Sequence, residues 1–243
     1  MIIEGKNPVY EALRGDATIE KMYVQNGADE GVINNIIRLA REKKIIVSFV
    51  DKTTLDRLSP SGRHQGVLAT ATEFNYSELN ELLAVAEARN EPPFLLILDG
   101  LTDPHNLGSI IRTAECAGVH GIVIPKHRSV TVNETVIKCS AGAVEHIKIA
   151  KVTNINDAIR QLKEQNVYVY GADMDGEPMY SANLKGAIAI VIGSEGEGIK
   201  RLTRELCDGI ISIEMFGKLN SLNASVAAAI LVYERVRQTK IKL

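Results

Sequence analysis

Cysteine is scarce in this chain. The 243 residues hold three, Cys116, Cys139 and Cys207. They are odd in number and widely spaced, which fits neither a disulfide framework nor a zinc knuckle. The five histidines show no metal-ligand spacing, so no metal is expected. No apolar run reaches transmembrane length, and the opening MIIEGKNPVYEAL lacks a basic leader followed by an apolar region. The expectation is a cytoplasmic protein with no membrane contact. Excess positive charge is also missing: the net charge is −2. Any nucleic-acid contact must then come from a local patch.

What stands out instead is residues 217–237, GKLNSLNASVAAAILVYERVR. Asn220, Ser221 and Asn223 suit a loop that caps a helix, because their side chains accept from orphan backbone N–H groups. The run from Ala224 to Tyr233 is apolar around every face, which predicts a helix buried on all sides. One side can lie on its own sheet, and a partner subunit is the simplest cover for the other. A capped core helix alone would also explain the pattern.

Residues 1–73 predict a small α/β unit. Asn7-Pro8 opens a helix, 21–24, 45–50 and 66–72 are strands, and Ile33, Ile36, Ile37 and Ala40 have helical spacing. Arg38, Arg41, Lys43 and Lys44 cluster at one helix end, and Arg57, Arg63 and His64 surround the Gly62 turn. Cations at a helix C-terminus are also favoured by its dipole, which accounts equally well for the first cluster. Residues 74–93 predict a linker helix closed by Pro92-Pro93. From Phe94 onward, β-rich apolar runs at 94–98, 121–124, 167–170, 187–192 and 209–213 alternate with helices at about 109–118, 154–165 and 198–207. That is the pattern of a parallel sheet covered on both faces. The glycine-rich and polar clusters fall after these strands, at 99–108, 125–129, 171–176, 193–198 and 215–223, where such sheets bind ligands.

In the first of these loops, Asp103 and His105 can be explained as turn residues. Arg112, read as lying one turn into a helix starting near Ser109, would be opposed by the dipole and would call for an anionic partner. The loop Gly193-Ser194-Glu195-Gly196-Glu197-Gly198 follows a strand, but its glycines do not spell GxGxxG and no P-loop lysine is present. A GxSxG elbow is missing too. Glu195 and Glu197 would repel a phosphate at this turn. They suit a ligand carrying positive charge, such as S-adenosylmethionine with its sulfonium and ammonium.

Taken together, three segments resemble the SpoU/TrmH branch of the SPOUT RNA 2′-O-methyltransferases. They are Asp103-Pro104-His105-Asn106-Leu107-Gly108-Ser109-Ile110-Ile111-Arg112-Thr113, Ile192-Gly193-Ser194-Glu195-Gly196-Glu197-Gly198-Ile199, and Asn220-Ser221-Leu222-Asn223-Ala224-Ser225-Val226-Ala227. They occur in the family's order across residues 94–237. The two-domain layout is closest to the RlmB-like branch, which methylates a guanosine of large-subunit ribosomal RNA. The resemblance implies an α/β SPOUT domain over 94–243 with a C-terminal trefoil knot, a ribosomal-protein-like RNA-binding domain over 1–73, and a homodimer. It implies S-adenosylmethionine as cofactor. Catalytic or RNA-positioning places fall on Asn106, Arg112, Glu195, Ser221 and Asn223, and adenosyl-binding places on Gly171, Ala172, Gly193, Ile213, Met215 and Leu222. A transfer-RNA 2′-O-methyltransferase, a non-catalytic RNA-binding or ribosome-assembly factor, and a Rossmann oxidoreductase are the competing readings.

Overall fold

The computed structural model describes residues 1–14, 18–28, 31–43, 45–72, 74–194, 196 and 198–240, with residues 18 and 72 described by backbone alone. The chain divides into two compact units, residues 1–75 and 76–243.

The first unit runs β1 (Ile2–Glu4), α1 (Lys6–Arg14), β2 (Thr18–Gln25), α2 (Gly31–Glu42), β3 (Ile46–Val50), α3 (Lys52–Leu58) and β4 (Val67–Thr72). Its sheet has the order β1-β4-β2-β3. Ile33, Ile36, Ile37 and Ala40 do form one face of α2, and they pack with Val9 and Leu13 of α1 onto Met22, Val24, Val67 and Ala69. Strand β1 was not foreseen. It is too short to carry a period, and it pairs antiparallel with β4. The Glu4 carboxylate accepts from the Ser61 amide at 3.2 Å and from the Ser59 hydroxyl. His64, grouped above with surface cations, is buried; its Nε2 meets Asp56 Oδ1 at 2.9 Å and its Nδ1 accepts from Gly66 N at 3.0 Å. Arg38 is paired with Glu42 at 2.7 Å. Lys44 lies outside the described residues.

The second unit runs α4 (Leu79–Ala88), β5 (Phe94–Asp99), α5 (Pro104–Cys116), β6 (Gly121–Pro125), α6 (Glu134–Cys139), β7 (Lys148–Val152), α7 (Ile155–Glu164), β8 (Tyr168–Pro178), β9 (Ile188–Gly193), α8 (Arg201–Leu206), β10 (Gly209–Ser212) and α9 (Ala224–Lys240). The sheet has six parallel strands in the order β10-β8-β9-β5-β6-β7. Strands β5 and β6 are buried at every residue, as a sheet covered on both faces requires.

Four sequence-based expectations need correction. The helix over 79–88 is not a linker. Leu79 and Leu82 belong to the core of the larger unit, and a Cβ placed on Gly121 would lie 2.2 Å from Leu82 Cγ. Strand β7 was missed, because Lys148 and Lys151 break up its apolar pattern. The segment expected as a loop at 171–176 lies within β8, but 172–176 bulge out of the ladder, whose register with β10 passes from Gly171↔Ile210 directly to Glu177↔Ile211. Helix α9 is not buried all round. Ala224, Ala228, Leu231 and Val232 face the chain's own core, while Val226 and Tyr233 are 46% and 49% exposed. Its final turns are not apolar: buried Glu234 pairs with Arg237 at 2.8 Å, and buried Arg235 stacks over the Phe94 ring at 4.6 Å.

His120 fixes the start of β5. Its Nδ1 accepts from the Phe94 amide at 2.9 Å, and its Nε2 faces Glu91 Oε2 at 3.1 Å. The first bond requires a neutral ring carrying its proton on Nε2, so Nε2–H donates to Glu91. Burial, the largest influence, lowers the pKa from its ordinary 6.5. Below that value the unfolded chain binds a proton that the folded chain refuses, so this stabilisation is present above pH 6.5 and is lost as pH falls through the lowered folded value. Thermal unfolding measured from about pH 8 to 5 should show this decline. His120→Ala should flatten it and cost about 1–3 kcal/mol, because the Phe94 N–H is left without an acceptor.

Candidate active site

The polar elements converge at the carboxyl ends of β8, β9 and β10. Asp103 caps α5, its Oδ1 accepting from His105 N at 3.0 Å, and Pro104 follows at the start of the helix. This places Asn106 in the first turn, buried. The third segment of the resemblance reaches it directly: Asn223 Nδ2 donates to Asn106 Oδ1 at 2.9 Å. Asn223 Oδ1 meanwhile accepts from Ser225 N at 2.9 Å and Val226 N at 3.4 Å, which caps α9. The capping expectation for this stretch is therefore realised by the same side chain that contacts Asn106.

Between these elements Ser194 and Gly198, after β9, are joined backbone to backbone. Ser194 N donates to Gly198 O at 3.1 Å, and Gly198 N donates back to Ser194 O at 3.0 Å. A Cβ on Gly193 would lie 2.1 Å from the Gly198 carbonyl carbon, so only glycine fits at 193. The end of β5 is tied to the same region. Asp99, 2% exposed, accepts from Thr203 Oγ1 at 2.9 Å and from Lys200 Nζ at 2.6 Å. This binds the strand end to the start of α8.

A cavity of about 540 Å³ opens among these loops. Its walls come from Ala172, Asp173 and Met174 of β8, from Ile192, Gly193, Ser194, Gly196 and Gly198, and from Ile211, Ile213 and Met215. Asn220, Ser221, Leu222 and Asn223 close it together with Ala224, Ala227 and Leu231 of α9. The size falls within the ordinary range of about 300–1,000 Å³ for small-molecule sites. Among the described residues Asp173 is the one charged group in the wall. Its carboxylate is paired with Arg204. A mostly apolar cavity with no cation in its described wall offers a phosphate no partner and suits a ligand without one.

Of the residues singled out from the sequence, Ala172, Gly193, Ile213, Met215, Leu222, Ser221 and Asn223 line this cavity. Asn106 stands behind Asn223. Gly171 does not line it; a Cβ there would meet Ile210 Cδ1 at 2.9 Å and Ile199 Cδ1 at 3.0 Å, so its role is close packing. Glu195, like Glu197, lies outside the described residues. Arg112 is exposed and absent from the cavity wall. Its helix begins at Pro104, earlier than expected, so Arg112 is in the third turn and the dipole objection raised from the sequence does not apply. Arg112 forms no ion pair with any described residue. Asp173 and Asp99 were missed. Each is a lone acid at or beyond the end of an apolar run, which from sequence alone reads as an ordinary surface residue. No group of three or more potential metal ligands occurs among the described residues. No described helix is long and apolar enough to cross a membrane.

Comparison with known proteins identifies the architecture. The profile of the SpoU rRNA Methylase family matches residues 93–233, and that for RNA 2′-O ribose methyltransferase substrate binding matches residues 2–77. The YacO protein of Bacillus subtilis, assigned to the TrmH family of tRNA/rRNA methyltransferases, is 45% identical over 236 residues, covering 96% of this chain and 94% of YacO. The SpoU methyltransferase AviRb of Streptomyces viridochromogenes, solved with AdoMet, superposes with a TM-score of 0.62 at 23% identity, covering 98% of this chain and 90% of AviRb. A TrmH/SpoU tRNA-modifying enzyme of A. aeolicus gives a TM-score of 0.57 at 25% identity, covering 66% of this chain and 81% of its own.

Asn223 separates two roles that substitution can resolve. Asn223→Ser keeps a cap on α9 but is too short to reach Asn106, whereas Asn223→Ala loses both. Urea unfolding should show Asn223→Ala destabilised by about 0.5–2 kcal/mol relative to Asn223→Ser, which keeps the cap, and Asn223→Ser below wild type by the lost bond to Asn106. Equal stability of all three proteins would show that Asn223 does not cap the helix.

Proposed function

The chain belongs to the SpoU rRNA methylase family, and on that premise we propose that it transfers a methyl group from S-adenosylmethionine to the ribose 2′-hydroxyl of a guanosine in large-subunit ribosomal RNA. The observation that carries the reading is the cavity at the strand ends, lined by Ser221, Leu222 and Asn223 and holding a carboxylate as its one described charge. S-adenosylmethionine supplies an electrophilic methyl on sulfur. Met215, Leu222 and Ile192 provide apolar wall for an adenine ring, and Asp173 and Ser194 provide acceptors for its polar groups. The match of residues 2–77 to a substrate-binding profile supports assigning RNA recognition to the first unit. The description of the family as an rRNA methylase supports ribosomal RNA as the substrate.

The 2′-oxygen must lose a proton as it attacks the methyl carbon. The C–O bond forms as the S–C bond breaks, and the thioether departs neutral. Arg112, exposed and outside the cavity wall, is assigned to this step by the resemblance alone. A guanidinium with a pKa above about 12 is a poor base, but it can grip the neighbouring RNA phosphate and stabilise the developing alkoxide. The proton then leaves to that phosphate or to water. Asn106, Ser221 and Asn223 orient the ribose and the methionine end by neutral hydrogen bonds, and alignment supplies much of the acceleration. Glu195 is assigned with them by the resemblance alone. The knot implied by the resemblance would lie in the segment that folds the walls around the cofactor.

The half-open face of α9 supports a homodimer, since Val226 and Tyr233 are large side chains left uncovered on the side away from Ala224, Ala228, Leu231 and Val232. Val226→Glu should give a folded monomer in sedimentation experiments, and an unaltered dimer would place the interface elsewhere. The chemistry is tested at Arg112. Arg112→Ala should leave melting temperature and S-adenosylmethionine affinity unchanged and slow single-turnover methylation by at least about a hundredfold. Arg112→Lys should recover little, because an ammonium cannot reproduce a planar fork. A near-normal rate in Arg112→Ala would end the assignment.

A further inference from the structure

The loop following β6 carries Lys126, His127 and Arg128 in succession at the same sheet edge as the cavity. It is braced from both sides. Lys126 N donates to Val152 O at 2.7 Å, which extends the ladder between β6 and β7. Ser129 Oγ donates to Leu101 O at 3.0 Å, and Val130 N donates to the same carbonyl at 2.7 Å. Leu101 follows Gly100, and a Cβ at Gly100 would lie 3.8 Å from the Cβ of Ser194 in the cavity wall. The basic loop is thus fastened to the segment that packs against the cofactor cavity.

Two features distinguish it from an ordinary solvated turn. Arg128 is exposed at φ 56°, a left-handed conformation that a side chain disfavours and glycine adopts freely. A strained residue held by its surroundings is a pointer to function. The second feature is charge compensation. Three cations around α8 at this edge are matched: Lys200 by Asp99 at 2.6 Å, Arg201 by Glu205 at 2.9 Å, and Arg204 by Asp173. Among the described residues, Arg128 and His127 have no such partner.

We propose that residues 126–128 form a phosphate-contacting subsite for RNA, in which Arg128 positions the substrate beside the cavity. This rests on the reading of the chain as an RNA methyltransferase. A target ribose entering the cavity brings its flanking phosphodiesters to the rim, and an unpaired guanidinium on a braced loop offers a bidentate contact to one of them. Arg128 acts on placement of the substrate and not on the reacting atoms.

The backbone conformation allows a test that separates binding from folding. Arg128→Gly removes the charge at a position where glycine relieves strain, so its melting temperature should equal or exceed that of wild type. Binding of the full chain to an unmodified large-subunit ribosomal RNA transcript is followed between about 50 and 200 mM salt. The variant should lose about three- to tenfold in affinity, and its slope of log affinity against log salt should flatten by about 0.7–0.9. Arg128→Lys should restore most of that slope, and S-adenosylmethionine affinity should be unchanged in both variants. Wild-type RNA affinity and salt slope in a folded Arg128→Gly protein would overturn the subsite. Methyl transfer by the wild-type chain is scored separately: its failure would count against the enzymatic reading, while the salt slope would still decide the subsite.

Discussion

One side-chain amide joins the two ends of the candidate active site. Asn223 accepts through Oδ1 from the first amides of α9 and donates through Nδ2 to Asn106, 117 residues earlier in the chain. The start of α9 and the start of α5 are therefore held in one register. Ala224, Ala227 and Leu231, which follow Asn223 on the helix, become a cavity wall because the cap fixes where the helix begins. The Asp99 carboxylate does the corresponding work on the other side, where it fastens the end of β5 to α8. A buried acid needs such partners, since an unpaired charge taken out of water is strongly unfavourable.

The electrostatic character of the cavity follows from these ties. Lys200 and Arg204 are drawn to Asp99 and Asp173, so neither lies in the wall as a phosphate ligand. Arg112 and Arg128, which form no ion pair with any described residue, lie outside it. The distribution separates a site for a cationic small molecule from a surrounding surface able to meet RNA phosphates. The Rossmann alternative required pyrophosphate to sit where no described cation is present.

Much of this was legible in the sequence because it depends on local chemistry. Continuous apolar runs gave the buried strands, and the small polar residues at 220–223 gave a helix cap. Sorting of glycine-rich loops to one sheet edge located the cavity. What escaped depends on long-range contacts. Strand β1 has three residues and exists through its pairing with β4. Helix α4 looked like a linker because its amphipathic face does not say which unit it packs on; Leu82 over Gly121 decides that. Arg112 was misplaced along its helix because Asp103 and His105, read as turn residues, are in fact the cap and first turn of α5, which begins at Pro104. Helix α9 looked uniformly apolar, yet only the sheet and α5 determine which face is covered.

The account stands on ribose methylation of ribosomal RNA by this cavity, and the most direct measurement is a map of 2′-O-methyl groups in ribosomal and transfer RNA from cells with and without the gene. The account predicts the loss of a methyl group from the ribose of a guanosine in large-subunit ribosomal RNA. Loss confined to transfer RNA, loss of a base methyl group, or an unchanged map would contradict it.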